Sequence, residues 1–356
     1  MITKQDVLNV LSTVVDCDSN RNIVELGLIT SVLIKDGVVH CILSLLDERQ
    51  VVQKSIIEKK CNDAIKTIPY VKDIKIVFTA AHDTVNKVNR RISAEKMSIT
   101  GVKNLILISS GKGGVGKSTL AMNIAFSLLR KGYKAALADL DIYGPSIPHM
   151  LGVKDFTNPE VDNDNKMIPI TRYGLRSISI GYLIAKDNAT IWRGPMVTKA
   201  IYTLMTNTAW GEVDYLIIDT PPGTGDVHLS LVEKFDITGV VVVSTPQDLA
   251  IIDAVKICDM MKKMNVYIVG IIENMSYFVD ANSGGKTYIF GKQGVSRIAS
   301  KLNISLLGEV PLSPQICNVA ELGTPLSLDH EICKIYDNIT DNMLCSLEKY
   351  VLKTDL

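Results

Sequence analysis

Apolar positions along this chain change period several times before residue 80. "TKQDVLNVLSTVV" places its apolar residues at helical spacing. "LGLITSVLI" and "VVHCILSLL" are runs rich in β-branched residues, and Asp36-Gly37 between them is a hairpin signal. "QVVQKSIIEKKCNDAIKTI" returns to helical spacing, and "DIKIVFTA" to a strand. The expected order is helix, strand, strand, helix, strand: a small α/β domain over residues 1–80. Residues 81–102 are polar and carry Lys87, Arg90, Arg91 and Lys96, which reads as a solvated linker.

From Lys103 the pattern becomes regular. Short apolar runs recur: "LILIS" (105–109), "KAALAD" (134–139), "LRSISI" (175–180), "DYLIID" (214–219), "GVVVVST" (239–245), "VYIVGII" (266–272) and "SLLGEVP" (305–311). Continuous Val/Ile/Leu runs of this length suit strands buried on both faces of a parallel sheet. Helical patterns separate most of them, such as "KSTLAMNIAFSLLRKG", "PMVTKAIYTLMTNTAW" and "QDLAIIDAVKICDMMKKMN". Strands alternating with helices predict an α/β fold over residues 103–356, a doubly wound, mostly parallel sheet. Ligands of such sheets bind beyond the carboxyl ends of the strands.

Composition narrows the class. With 47% apolar and 21% charged residues the chain is globular rather than disordered. Lysine plus arginine equal aspartate plus glutamate at 38 each, which argues against non-specific nucleic-acid binding. The N-terminal stretch carries charges through its apolar residues, unlike a signal peptide, and no apolar run is long enough to span a membrane. Seven cysteines (17, 41, 61, 258, 317, 333, 345) are scattered without a short pair, as expected of reduced thiols in a cytoplasmic protein.

The chemistry falls at strand ends. Gly111 to Ser118, "GKGGVGKS", fits the phosphate-loop pattern G-x-x-x-x-G-K-S, between a strand and a helix. Gly111, Lys112, Gly113, Gly114, Val115, Gly116, Lys117, Ser118 and Thr119 are the expected ATP-binding residues. Glycine backbone N–H groups cradle phosphates, Lys117 reaches the β- and γ-phosphates, and the Ser118 hydroxyl meets Mg²⁺. Asp219, ending "DYLIID", is the second expected Mg²⁺ residue. In the following "TPPGTGD", Gly223 can offer its N–H to a γ-phosphate and make the loop a switch. Asp139 and Asp141 flank one residue at another strand end. Asp141 is favoured for orienting or deprotonating the attacking water because it lies beyond the strand; Asp139 is the alternative, or a structural or outer Mg²⁺ residue.

Lys112 is not required by a simple phosphate loop. Paired with Lys117 it resembles the deviant phosphate loop of the MinD/ParA/nitrogenase-iron-protein class. "DLDIYGPSIPHMLG", "WRGPMVTKAI", "DYLIIDTPPGTGD", "VSTPQDLAIIDA", "GIIENMSYF" and "LGEVPLSPQI" together resemble the Mrp/ApbC family, P-loop ATPases implicated in carrying iron–sulfur clusters. The likeness spans roughly residues 100–345. "IVELGLITSV" more loosely resembles the small domain that precedes the ATPase in many of these proteins.

The resemblance implies a homodimeric ATPase using ATP and Mg²⁺, with Lys112 reaching the partner's nucleotide and Asn274 reading adenine. Lys112, Lys117 and Asp141 are then the catalytic residues. Iron–sulfur scaffold or recipient apoproteins are the implied partners, with no nucleic acid and no membrane. "WRGPM" marks the family, Trp192 as a loop anchor and Arg193 facing a partner or carboxylate. One departure matters. Family members carry C-x-x-C after "ENMS", where this chain has Asp280 and Ser283. Neither is a thiolate, so no iron–sulfur ligand is assigned. The small domain likewise lacks the family's cysteine in "LLDERQVVQ". Two alternatives stand beside the carrier: a cluster-free ATPase scaffold, and a MinD/ParA-type positioning ATPase. "CSLEKYVLKTDL" is too short and charged to favour a membrane-anchored form of the latter.

Overall fold

The computed structural model describes residues 3–15, 21–35, 37–45, 54–80, 96–153, 158–183, 194–280, 282–327 and 331–354. The chain divides into two compact units, residues 1–94 and 95–356.

The first unit has the expected element order: α1 (Lys4–Leu11), β1 (Ile29–Lys35), β2 (Val38–Leu45), α2 (Lys54–Ile65) and β3 (Asp73–Ala80). Thr3 and Asp6 form a capping box that starts α1. β1 pairs antiparallel with β2, and β2 parallel with β3. Val7 and Leu11 of α1 and Ile57, Cys61 and Ile65 of α2 are buried with Val39, Cys41 and Leu43 in one core. Cys61 is therefore a core residue, and burial pushes its thiol up to about 12.

The second unit is built on an eight-stranded sheet of order β13-β10-β9-β4-β8-β5-β7-β6. Its strands are β4 (Val102–Ser110), β5 (Ala135–Asp139), β6 (Ile170–Arg172), β7 (Leu175–Ser179), β8 (Val213–Asp219), β9 (Gly239–Ser244), β10 (Ile268–Glu273) and β13 (Leu306–Glu309). Every pairing is parallel except β6 with β7. All seven apolar runs became strands, and alternation explains why they are continuous. Leu105, Leu107, Val240 and Val242 enter one core, while Ile106, Ile108, Val241 and Val243 enter another on the opposite face.

Helices α3 (Lys117–Arg130), α4 (Ile147–Met150), α5 (Gly194–Thr206), α6 (Asp226–Lys234), α7 (Asp248–Lys263), α8 (Gly294–Leu302), α9 (Pro314–Leu322) and α10 (Glu331–Thr354) complete the unit. A two-stranded hairpin, β11 (Phe278–Val279) with β12 (Lys286–Thr287), follows β10.

One expectation is corrected. The end of the expected 81–102 linker belongs to the second unit: Ile99 is buried in its core, and the Met97 N–H donates to the Lys234 carbonyl. An apolar Met-x-Ile pair gains more from packing than from solvation. The long helix α10 packs on α3 and β13, and Asp337 accepts from Ser127 and Arg130. Trp192, Arg193, Lys87, Arg90, Arg91, Cys17 and residues 46–53 lie outside the described residues. Among the described residues no helix is long and apolar enough to cross a membrane.

Candidate active site

The strand ends converge. β4 leads into the glycine loop, and β5 and β8 stop at Asp139 and Asp219, which are register partners across the sheet. The loop then enters α3, whose positive end faces the bend.

Two glycines are required by space. Gly116 has φ +82, and a Cβ there would stand 2.1 Å from Asn274 Nδ2; one at Gly111 would strike the Asp253 backbone at 2.3 Å. Asn274, 7% exposed, donates through Nδ2 to the Val115 carbonyl at 2.7 Å. It braces the loop from beneath, a task that the adenine expectation did not include. An amide at a strand end does not by itself reveal which backbone it meets.

Lys117 is 6% exposed, and its ammonium lies 2.5 Å from Asp219 Oδ1, 3.4 Å from Ser118 Oγ and 4.0 Å from Asp141 Oδ2. Asp219 is fully buried, with Oδ2 lacking a hydrogen-bond partner among the described residues. Burial pushes its carboxyl up, against the pull of Lys117 and Ser118. Asp139 is also fully buried. It accepts from Ser179 Oγ at 2.9 Å and from the backbone N–H groups of Asp141 and Ile147. Burial, and then the Asp219 charge, push it up to about 7. Asp139 is thus enclosed by its hydrogen-bond partners, whereas Asp141 keeps some exposure. It lines a cleft of about 570 Å³ together with Pro222, Gly225, Asp226 and His228.

The site fits a nucleotide with a divalent cation. One ammonium pairs with Asp219 and more distantly with Asp141, Asp139 is buried beside them, and one Asp219 oxygen has no hydrogen-bond partner among the described residues. Oxygen donors of this kind suit Mg²⁺. Lys112 makes no ion pair among the described residues. Gly223, with φ +93, donates its N–H to the Ser110 carbonyl at 2.8 Å, so that N–H is engaged at the loop root.

Two buried residues at these ends had no role assigned from the sequence. His228 bridges Ser109 and Thr220. Glu273 accepts from Ser276 Oγ and from the Val295 N–H at the start of α8. A lone histidine on the inner face of a helix reads as core, and only its place after "TPPGTGD" hints otherwise.

The hairpin is of another kind. Asp280 Oδ1 accepts from the N–H and Oγ of Ser283 at 2.8 Å each and from the Asn282 N–H, which holds its carboxyl below the ordinary range. The two residues that stand where the family has cysteines therefore satisfy each other. Cys258 is buried in α7, its thiol pushed up to about 11. No group of three or more His, Cys, Asp or Glu suited to a metal occurs among the described residues.

Glycine loop, paired lysine and Asp219, and strand-end topology define a P-loop NTPase. A family model described as the NUBPL iron-transfer P-loop NTPase matches residues 101–344, and one described as an iron–sulfur cluster assembly protein matches residues 4–77. The chain belongs to this iron–sulfur cluster carrier and transfer family of P-loop NTPases.

A protein named iron–sulfur cluster carrier protein from Deinococcus radiodurans is 41% identical over 324 residues, 91% of this chain and 89% of the relative. Its namesake from Aquifex aeolicus is 36% identical over 357 residues, covering 94% and 96%. The iron–sulfur cluster transfer protein NUBPL of Dictyostelium discoideum is 42% identical over 263 residues, 73% of this chain and 81% of that one. Among solved structures, a nucleotide-binding protein from Archaeoglobus fulgidus in complex with ADP, with Co found by PIXE, aligns with a TM-score of 0.56 and 34% identity. It covers 63% of this chain and 87% of its own. The cell division ATPase MinD of Pyrococcus furiosus shares the fold at a TM-score of 0.50 and 18% identity, covering 68% and 98%.

Proposed function

We propose that this chain is a Mg²⁺-dependent ATPase, working as a homodimer in the cytoplasm in iron–sulfur cluster assembly or transfer. The observation that carries the reading is the Lys117–Asp219 pair: a buried ammonium under a glycine loop, held by a carboxylate with one oxygen to spare. The relatives' names as carrier and transfer proteins support the cluster half.

In this reading Lys117 turns from Asp219 to the β- and γ-phosphates, and Asp219 and Ser118 hold Mg²⁺. Bound Mg²⁺ neutralises phosphate charge. The N–H groups of residues 111–119 cradle the phosphates. Asp141 orients or deprotonates the attacking water. Gly223 passes its N–H from the Ser110 carbonyl to the γ-phosphate and so reports the nucleotide's state. Lys112 meets the nucleotide of the second subunit, where a cation supplied in trans stabilises charge on the phosphoryl group in transfer. Asn274 reaches adenine while bracing the loop.

The turn at Asp280–Ser283 favours a second reading, an ATPase scaffold that does not hold the cluster at this hairpin. Thiolates hold cluster irons, and this turn offers none. Two measurements test both readings. Phosphate release with and without Mg²⁺, alongside sedimentation with ATP, checks the ATPase; no release by the wild type overturns it. Anaerobic reconstitution of the wild type beside Asp280→Cys/Ser283→Cys checks the cargo. We expect little iron and sulfide on the wild type and more on the double variant. Equal, full loading would restore an ordinary carrier.

A further inference from the structure

The loop between β8 and α6 leaves the sheet at Thr220 and re-enters the fold at His228. Its tip and its neck are built differently. Thr224, Gly225 and Asp226 at the tip are exposed, and Gly223 is held by its one N–H bond to Ser110. At the neck Thr220 is fully buried and His228 is 1% exposed. The two neck residues meet side chain to side chain, with His228 Nε2 3.0 Å from Thr220 Oγ1. The same nitrogen lies 2.7 Å from Ser109 Oγ, two residues before Gly111.

The Thr220 hydroxyl donates to the Ile108 carbonyl at 2.9 Å, so toward the imidazole it accepts. We assign the proton to Nε2, which lets both hydroxyls accept from it. Burial, with Lys117 adding to it, lowers the imidazole to about 4, so the ring is neutral near pH 7. Nδ1 is buried with no hydrogen-bond partner among the described residues. An apolar side chain of similar size would avoid that unsatisfied atom. What the imidazole supplies and an apolar group cannot is the Nε2–H contact to two hydroxyls.

We infer that His228 is a positioning residue for hydrolysis: its Nε2–H clamps the neck of the 220–228 loop to the root of the phosphate loop, so nucleotide moves the tip and leaves Asp219 in place. This rests on the ATPase reading. Thr220 follows Asp219 directly, and the Asp219 carbonyl accepts from the Leu140 N–H. A neck free to move would carry the Asp219 carboxylate with it. Freeing the tip breaks two backbone hydrogen bonds, Gly223 N–H to Ser110 and His228 N–H to the Gly225 carbonyl at 3.1 Å; freeing the neck breaks the buried side-chain contacts of Thr220 and His228 together.

The test compares His228→Gln, whose amide keeps an N–H near the place of Nε2, with His228→Met, which fills volume without one. Readouts are kcat, the Kd for ATP, Tm and amide exchange. His228→Met is expected to lose on the order of tenfold in kcat, with Kd within about threefold and a near-native Tm. His228→Gln should recover most of the rate. Without nucleotide, the amides of residues 220, 227 and 228 should exchange faster in the Met variant than in wild type, while 223–225 exchange alike. Thr220→Val reads the same clamp from its other side and should match His228→Met. Equal rates for Gln and Met, or a Kd that rises as much as kcat falls, overturns the clamp. A wild type without turnover sinks the ATPase reading instead, and the nucleotide-free exchange still tests the clamp.

Discussion

The phosphate-loop end and the β11–β12 hairpin carry polar side chains in opposite conditions. At the loop, Lys117, Asp139 and Asp219 are buried, one ammonium pairs with Asp219 and Asp141, and one Asp219 oxygen has no hydrogen-bond partner among the described residues. At the hairpin, Asp280 and Ser283 are bonded to each other in an exposed turn. The first arrangement gains when a ligand arrives, because a buried charge short of partners is costly. The second is satisfied already and asks for nothing. Charges out of balance in a dry site, rather than the mere presence of carboxylates, separate a working site from a well-made turn.

The sharpest break of this contrast is at Lys117. Lys117→Ala should abolish ATP binding, read by equilibrium dialysis, because the phosphates lose their cation and the buried Asp219 carboxylate loses its ion-pair partner. Lys112→Ala should keep most of the binding. Its hydrolysis should fall by roughly 10³-fold or more, the scale of a cation supplied in trans. A wild-type rate in Lys112→Ala would remove the cross-subunit role.

Asp219 sharpens the comparison next. Without a divalent cation, ATP must draw Lys117 away and leave a fully buried carboxylate bare beside Asp139. Unpairing a buried charge costs about 3–5 kcal/mol, or some 10²- to 10³-fold in affinity. The wild type should therefore bind ATP at least about 10²-fold more weakly with chelator than with Mg²⁺. In Asp219→Asn this gap should shrink to a few-fold, with Mg²⁺-free binding tighter than in wild type. Calorimetry of both proteins decides it; an undiminished gap in the variant places the coupling elsewhere. Asp141→Asn separates chemistry from binding: it should bind ATP with Mg²⁺, hydrolyse slowly and sediment as a dimer. A variant that stays monomeric with ATP, or turns over normally, ends the role given to Asp141.

How much of this was legible beforehand follows from the same physics. Strands buried on both faces write themselves as apolar runs, so β4, β5, β7, β8, β9, β10 and β13 could be read directly. β6 and the hairpin strands are two or three residues long and largely exposed, so they leave no such mark. Lys117, Asp219 and Asp141 sit in local motifs. The bridge from Ser109 to His228 spans 119 positions, and the bond from Asn274 to Val115 spans 159. No window of sequence holds either pair. The full burial of Asp139, against the partial exposure of Asp141, likewise emerged only once β5 lay beside β8.

The smallest expected effect is on stability, and it uses the two buried groups whose titrations oppose each other. Folded Asp139 keeps its proton to about pH 7, whereas an unfolded aspartate releases it near 3.8. Between those values the native state holds more protons, so this group makes stability fall as pH rises. His228 does the reverse. Folded, it protonates only near pH 4, while unfolded histidine does so near 6.5, so stability rises with pH across that window. In the nucleotide- and metal-free wild type the two slopes oppose. Asp139→Asn should tilt the balance toward the histidine slope, with Tm rising between pH 4 and 6.5 relative to wild type, while Asp219, also pushed up by burial, keeps a falling contribution in both proteins. His228→Gln should leave the carboxyl slope, with Tm falling toward pH 7. A divergence of several degrees across the window is expected for a unit of this size. Asp280→Ala is the control from the hairpin: that carboxyl is held below its ordinary 3.8, so its contribution is lost only under pH 4 and its curve should parallel the wild type. Parallel curves for Asp139→Asn and His228→Gln would show that the buried groups do not differ from the exposed turn in the way the contrast requires.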